Sequence, residues 1–213
     1  MSDLVFRERP AAGDPEGVLV LNHGRGADEI DLLGLADVLD PARRLLVVTP
    51  RAPLTLPGMP GFHWYVVPRV GHPDPASFAA AVDALGALHD ALWERTGLGP
   101  QRTILGGFSQ GTVMSYALGL HGERPAPAGI LALSGFIPTV EGWEPSLADR
   151  PGLRAFIAHG RLDPVIGVEF ARDARQRLAN AGIALEYLEF DGAHEIDAPE
   201  AHAAAAWIAQ TLA

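Results

Sequence analysis

The chain has 213 residues, 48% of them hydrophobic, and a formal net charge of −10 from 16 basic and 26 acidic residues. It contains no cysteine, and every basic residue is an arginine, so a disulfide framework, a thiolate zinc site, a cysteine nucleophile, a Walker A lysine, a Schiff-base lysine and a Ser-Lys dyad are all excluded. The acidic balance, with no arginine cluster against it, argues against nucleic acid as a partner.

This length allows one substantial core and is short for two, so a single domain spanning 1–213 is expected. The N-terminus MSDLVFRERP has early acidic residues and lacks a signal-peptide core. No apolar run approaches the roughly 18 residues that would span a bilayer. A cytoplasmic location without stable membrane insertion is the expectation. Oligomeric state is open, a homodimer being one arrangement the sequence allows.

The first buried strand is the continuous apolar run 18–21, which ends at Asn22-His23-Gly24-Arg25-Gly26. Asp28 then sits where it can cap a helix whose apolar face is Ile30, Leu32, Leu33, Leu35, Val38 and Leu39, and 45–48 is the next strand. From 50 to 75 repeated Pro and Gly break every period, giving a long loop that carries His63, Trp64 and Tyr65. Loops of that length inside compact domains often line binding sites.

Residues 77–96 form an amphipathic helix that leads into Arg102-Thr103-Ile104-Leu105-Gly106-Gly107-Phe108-Ser109-Gln110-Gly111. Here an apolar β-branched run meets two glycines and a serine, and Val113, Met114, Ala117 and Leu118 follow at helical spacing. Strand, sharp turn and helix with G-x-S-x-G at the turn is the context of a nucleophile elbow. Glycine at 107 and 111 removes the side chains that would collide where strand and helix cross.

Strands 129–133 and 155–158 close on Ser134-Gly135 and His159-Gly160, with a connecting loop over 136–151 between them. A helix over 168–182, a strand over 184–190 and a last helix over 198–212 complete the chain. Asp197 with Glu200 three positions on forms a capping-box start. Alternating strands and helices predict an α/β fold with a mostly parallel sheet, helices on both faces and no large cap domain; its binding site belongs at the carboxyl ends of the strands.

A serine hydroxyl needs a base to take its proton, and the base needs a carboxylate to orient it. Asp163 follows the strand that ends at His159, and His194 follows the last strand, which gives the chain order Ser109, Asp163, His194 used by α/β-hydrolases. Asp191 is too close in sequence to His194 to orient it easily, and Asp197 is explained as a cap. Charge developing on a substrate carbonyl oxygen calls for backbone N–H donors. Gln110, after the nucleophile, supplies one, and the loop at 24–26 the other, with Arg25 first and Gly26 second. His23 reads as an anchor of that loop rather than a metal ligand, and no metal or organic cofactor is required. Trp64, Phe136, Ile137, Val165 and Ile166, beside strand ends, are the expected lining of an acyl pocket.

The sequence resembles the phospholipase/carboxylesterase family of small serine α/β-hydrolases, which includes acyl-protein thioesterases. The likeness rests on Leu21-Asn22-His23-Gly24-Arg25-Gly26, the Trp64-Tyr65 pair, Gly107-Phe108-Ser109-Gln110-Gly111, Leu133-Ser134-Gly135, His159-Gly160-Arg161-Leu162-Asp163 and Gly192-Ala193-His194. It implies Ser109 as nucleophile, His194 as base and then acid, Asp163 as orienter, and N–H donors at Arg25 and Gln110. Members acting on acylated proteins or lysophospholipids often have an apolar residue where Arg25 stands, so arginine there favours polar or carboxylate-bearing esters. The expected activity is hydrolysis of carboxylic esters of small to medium acyl groups, the partner being a small-molecule ester. The alternatives are a thioesterase or lysophospholipase acting on acyl-proteins, acyl-CoA or lysophospholipids and, more remotely, a noncatalytic binding protein of the same fold.

Overall fold

The computed structural model describes residues 4–148 and 150–213. Seven strands form one sheet in the order β1-β3-β2-β4-β5-β6-β7. They are β1 (Phe6–Arg9), β2 (Gly17–Asn22), β3 (Leu45–Pro50), β4 (Thr103–Phe108), β5 (Gly129–Leu133), β6 (Arg154–Gly160) and β7 (Ala184–Phe190). Only β1 runs antiparallel to its neighbour; β2 through β7 pair in parallel. In β2, β3 and β5 every residue is buried, as runs without alternation require when helices cover both faces of a sheet.

Two apolar layers flank the sheet. One packs α2 (Pro75–Thr96), α3 (Gln110–Gly119) and α4 (Glu169–Asn180) against it through residues such as Phe78, Leu85, Val113 and Leu178. The other packs α1 (Ala36–Leu39) and α5 (Ala198–Thr211), with Ala36, Leu39, Trp207 and Ile208 inward. Among the described residues no large cap covers the strand ends, and no helix is long and apolar enough to cross a membrane.

Local chemistry sets the ends of these helices. α2 begins two residues before the predicted start, because Pro75 takes the first helical position and Asp74 accepts from the Ser77 N–H at 2.9 Å; it stops at Gly97, at φ 69°. α5 carries the predicted capping box, with Asp197 accepting from Glu200 N–H at 2.7 Å. The helix expected from Asp28 is reduced to a 3-10 turn at Leu33–Leu35 and the single turn of α1. Asp28 caps no helix; its Oδ1 accepts from Ile30 N–H at 2.8 Å in a local turn, and Gly34 interrupts the apolar stretch.

Register places the site. Asn22 lies opposite Gly107, Phe108 opposite Leu133, Leu133 opposite Ala158, and Gly160 opposite Phe190. Five strands therefore end at one edge of the sheet, and the loops after them share that edge.

Candidate active site

Ser109 sits between β4 and α3 at φ 56° and ψ −118°, a conformation that costs a non-glycine residue free energy unless its surroundings impose it. The surroundings do. Its N–H donates to Leu133 O at 3.0 Å, while the Thr112 hydroxyl donates to Gly107 O at 2.6 Å and accepts from Leu133 N–H at 3.1 Å. A Cβ on Gly107 would come within 2.4 Å of the Gly111 carbonyl carbon, the predicted strand–helix crossing. A Cβ on Gly111 would lie 1.9 Å from Asn22 O and 2.7 Å from His23 O, so this glycine also admits the end of β2.

His194 Nε2 is 2.8 Å from Ser109 Oγ, and His194 Nδ1 donates to Asp163 Oδ2 at 2.6 Å. The second carboxylate oxygen, Oδ1, accepts from the N–H groups of Val165 and Ile166 at 2.8 and 2.9 Å. Burial alone would raise the Asp163 carboxyl; the N–H of Ile166, the His194 ring and the N–H of Val165 together hold it below the usual range, ionised against the imidazole. The Phe108 ring lies against His194 with centroids 4.8 Å apart, fixing the imidazole from the side. Gly160 lets the end of β6 approach the His194 loop, since a Cβ there would be 2.2 Å from Ala193 O. Asp191 instead pairs with Arg161, and Asp197 caps α5.

The two segments expected to supply backbone donors belong to separate elements. Gln110 is the first residue of α3, whose opening N–H groups have no partner within the helix. In the loop after β2 the Gly26 N–H is spent on Phe62 O at 2.9 Å. His23 holds the loop: its Nδ1 donates to Gly24 O at 2.7 Å and its Nε2 accepts from Ala52 N–H at 3.0 Å. Burial pushes its pKa down, so the ring stays neutral with both nitrogens engaged by backbone.

A cleft of about 70 Å³ opens at Ser109, lined by Arg25, Tyr65, Val67, Val70, Gln110, Phe136, Val165 and Ile166. Phe136, Val165 and Ile166 were expected there; Trp64 and Ile137 were too and are not part of it. Trp64 is fully buried, its indole N–H donating to His23 O at 2.9 Å, and Ile137 is packed in the core layer. Tyr65, Val67 and Val70 take the places expected for them. Sequence reasoning also missed the Gln110 side chain, which accepts from Trp64 N–H and donates to Tyr65 O, both at 2.8 Å, and so ties the long loop to the elbow. A polar residue directly after the serine was its only signal.

The sheet and the chain of hydrogen bonds at its edge define an α/β-hydrolase. The chain belongs to the phospholipase/carboxylesterase family, whose pattern it matches over residues 9–212. It is similar to the putative hydrolase MhqD of Bacillus subtilis, 29% identical over 200 residues that cover 94% of this chain and 96% of that one. Acyl-protein thioesterase 1 of Yarrowia lipolytica is 28% identical over 185 residues, 80% of each chain. Among solved structures, esterase PE8 is 30% identical with a TM-score of 0.83 and covers 98% of this chain and 99% of its own. The Bacillus cereus carboxylesterase shares the fold at a TM-score of 0.85 and 22% identity, over 99% of this chain and 95% of its own. The protein is therefore a hydrolase of the carboxylesterase and acyl-protein thioesterase family.

Proposed function

We propose that the protein hydrolyses carboxylic esters of small to medium acyl groups through a covalent Ser109 acyl-enzyme. The observation that carries this reading is the continuous relay from Ser109 Oγ to His194 Nε2 at 2.8 Å and from His194 Nδ1 to Asp163 Oδ2 at 2.6 Å. As Ser109 Oγ attacks the carbonyl carbon, its proton passes to His194 Nε2, and the imidazolium that forms is stabilised by ionised Asp163. The carbonyl oxygen becomes an oxyanion facing the N–H groups of Arg25 and Gln110, each donor worth on the order of 3 kcal/mol in the transition state. Collapse breaks the ester C–O bond, and the leaving alcohol takes its proton from His194. Water, deprotonated by the same nitrogen, then attacks the acyl-enzyme and releases the acid.

The cleft of about 70 Å³ is well below the roughly 300–1,000 Å³ of pockets that enclose drug-sized ligands, which favours short acyl groups. A thioester reading draws on the name of the Yarrowia relative. Matched oxyester and thioester series graded by acyl length separate the two. A fluorophosphonate should label the folded protein and not Ser109→Ala; equal labelling of both refutes the mechanism.

A further inference from the structure

The last residue but one of β6 is a histidine that the relay does not use. His159 has no exposed surface and stands four residues before Asp163. Its Nε2 lies 2.7 Å from Ile166 O and 3.3 Å from Asp163 Oδ2, the oxygen that also accepts from His194. A carbonyl can only accept, so Nε2 carries a proton and donates it. The Ile166 residue is thereby gripped from two sides, its N–H by Asp163 Oδ1 at 2.9 Å and its carbonyl by His159. Ile166 also lines the cleft. Nδ1 is buried without a hydrogen-bond partner. A phenylalanine or leucine would fill the same space without stranding a nitrogen, so the imidazole is costly as packing alone.

We infer that His159 is a positioning residue: through Nε2–H it closes the turn over residues 163–166 and holds the Asp163 carboxylate in the orientation that His194 requires. This rests on the reading of Ser109, His194 and Asp163 as a relay. His159 touches neither substrate nor serine, and its effect reaches the reaction through Asp163.

The test compares His159→Gln, whose amide nitrogen reaches the Nε2 position, with His159→Phe, which keeps a ring without the donor, and His159→Asn, whose amide falls short. Activity on p-nitrophenyl acetate is expressed per site titrated with a fluorophosphonate, so that misfolded protein is not counted. Gln is expected to keep kcat within about threefold, while Phe and Asn lose roughly ten- to a hundredfold in kcat with KM changed less than about threefold. In an Asp163→Asn background, His159→Phe should cost less than about a further twofold, because both substitutions remove one function. Phe at wild-type kcat, Gln no better than Phe, or losses that multiply in the double variant would overturn the assignment. If Phe does not fold, Gln against Asn decides it. Failure of the fluorophosphonate to label wild type would instead count against the relay itself.

Discussion

Glu200 offers a quantitative test of how the structure positions α5. It is the third residue of that helix, has no exposed surface, and receives the Asp197 N–H at 3.3 Å on Oε2 while Oε1 is buried without a partner. Burial disfavours its charged form, the Asp197 N–H offsets part of this, and the charges of Asp197 and Glu195 add to the penalty; together they push the carboxyl up from 4.5 to about 8. The folded protein therefore holds a proton here that the unfolded chain releases above about pH 4.5. Stability falls as pH rises through the window from about 4.5 to about 8, by up to ~1.4 kcal/mol per unit, and is then constant. The full cost is on the order of 5 kcal/mol as an upper value. Glu200→Gln keeps an oxygen for the capping box and removes the ionisation. Urea unfolding at pH 5, 7 and 9 should show a variant-minus-wild-type difference that moves in favour of Gln by several kcal/mol across the series, or roughly 2–4 °C in Tm for each kcal/mol. A difference that stays flat from pH 5 to 9 would refute the claim that Glu200 is protonated in the fold.

Asp163→Asn should fold normally yet lose roughly 10⁴-fold in kcat on p-nitrophenyl esters, because an amide facing Nδ1 no longer selects the tautomer in which Nε2 can accept; near-native turnover would remove Asp163 from the relay. Gly111→Ala forces a Cβ to within 1.9 Å of Asn22 O, so chemical denaturation should show a loss of about 1–3 kcal/mol or more, and displacement of the Arg25 loop should lower kcat by about a hundredfold. Among the described residues Arg25 is the one charged member of the cleft lining, and its guanidinium contacts Met59 Sδ at 3.1 Å with no described carboxylate partner. Arg25→Gln should lower the kcat/KM ratio of a carboxylate-bearing ester to its neutral isostere by about two- to fivefold, the range for an exposed ion pair, and an unchanged ratio would exclude charge recognition there.

The parallel strands were legible because burial on both faces demands unbroken apolar runs, and 18–21, 45–48 and 129–133 are such runs. The elbow was legible because its glycines have no other cheap explanation, and Asp163 and His194 because both follow strand ends. β1 gave no such signal: Phe-Arg-Glu-Arg is a four-residue edge strand whose two middle residues are exposed, and its hold on the fold comes from backbone pairing with β3 and a buried Arg9–Asp40 ion pair at 2.7 Å that spacing does not announce. The stretch after Asp28 carried a helical pattern that was overridden by the Asp28–Ile30 hydrogen bond and by the low helix propensity of Gly34. On the long loop there is no period from which to read direction, so adjacent aromatics could not be told apart: both Trp64 and Tyr65 are buried in the core layer, and of the two Tyr65 also lines the cleft. The roles of Phe108 and the Gln110 side chain depend on contacts across distant segments, which spacing does not encode.

Those contacts also separate rate from selectivity. The long loop is fastened at its base: Leu54 and His63 exchange backbone hydrogen bonds, Phe62 pairs with Gly26 and Ala27, and Gln110 bridges Trp64 and Tyr65. The segment is thus a wall anchored to the loop after β2 and to the elbow, with Tyr65 as its fixed inner surface. Val67 and Val70 line the cleft from the next stretch, between the Val66 carbonyl, which accepts from Asp74 N–H at 3.0 Å, and the Gly71 carbonyl, which accepts from Thr139 N–H at 3.1 Å, and Val70 is partly open to solvent. Substitutions at Gln110 or Trp64 therefore act on the geometry of bond breaking and should change kcat. Substitutions at Val67 or Val70 reshape the cleft while leaving the relay and its N–H donors in place, so their effect should fall on which acyl group is accepted.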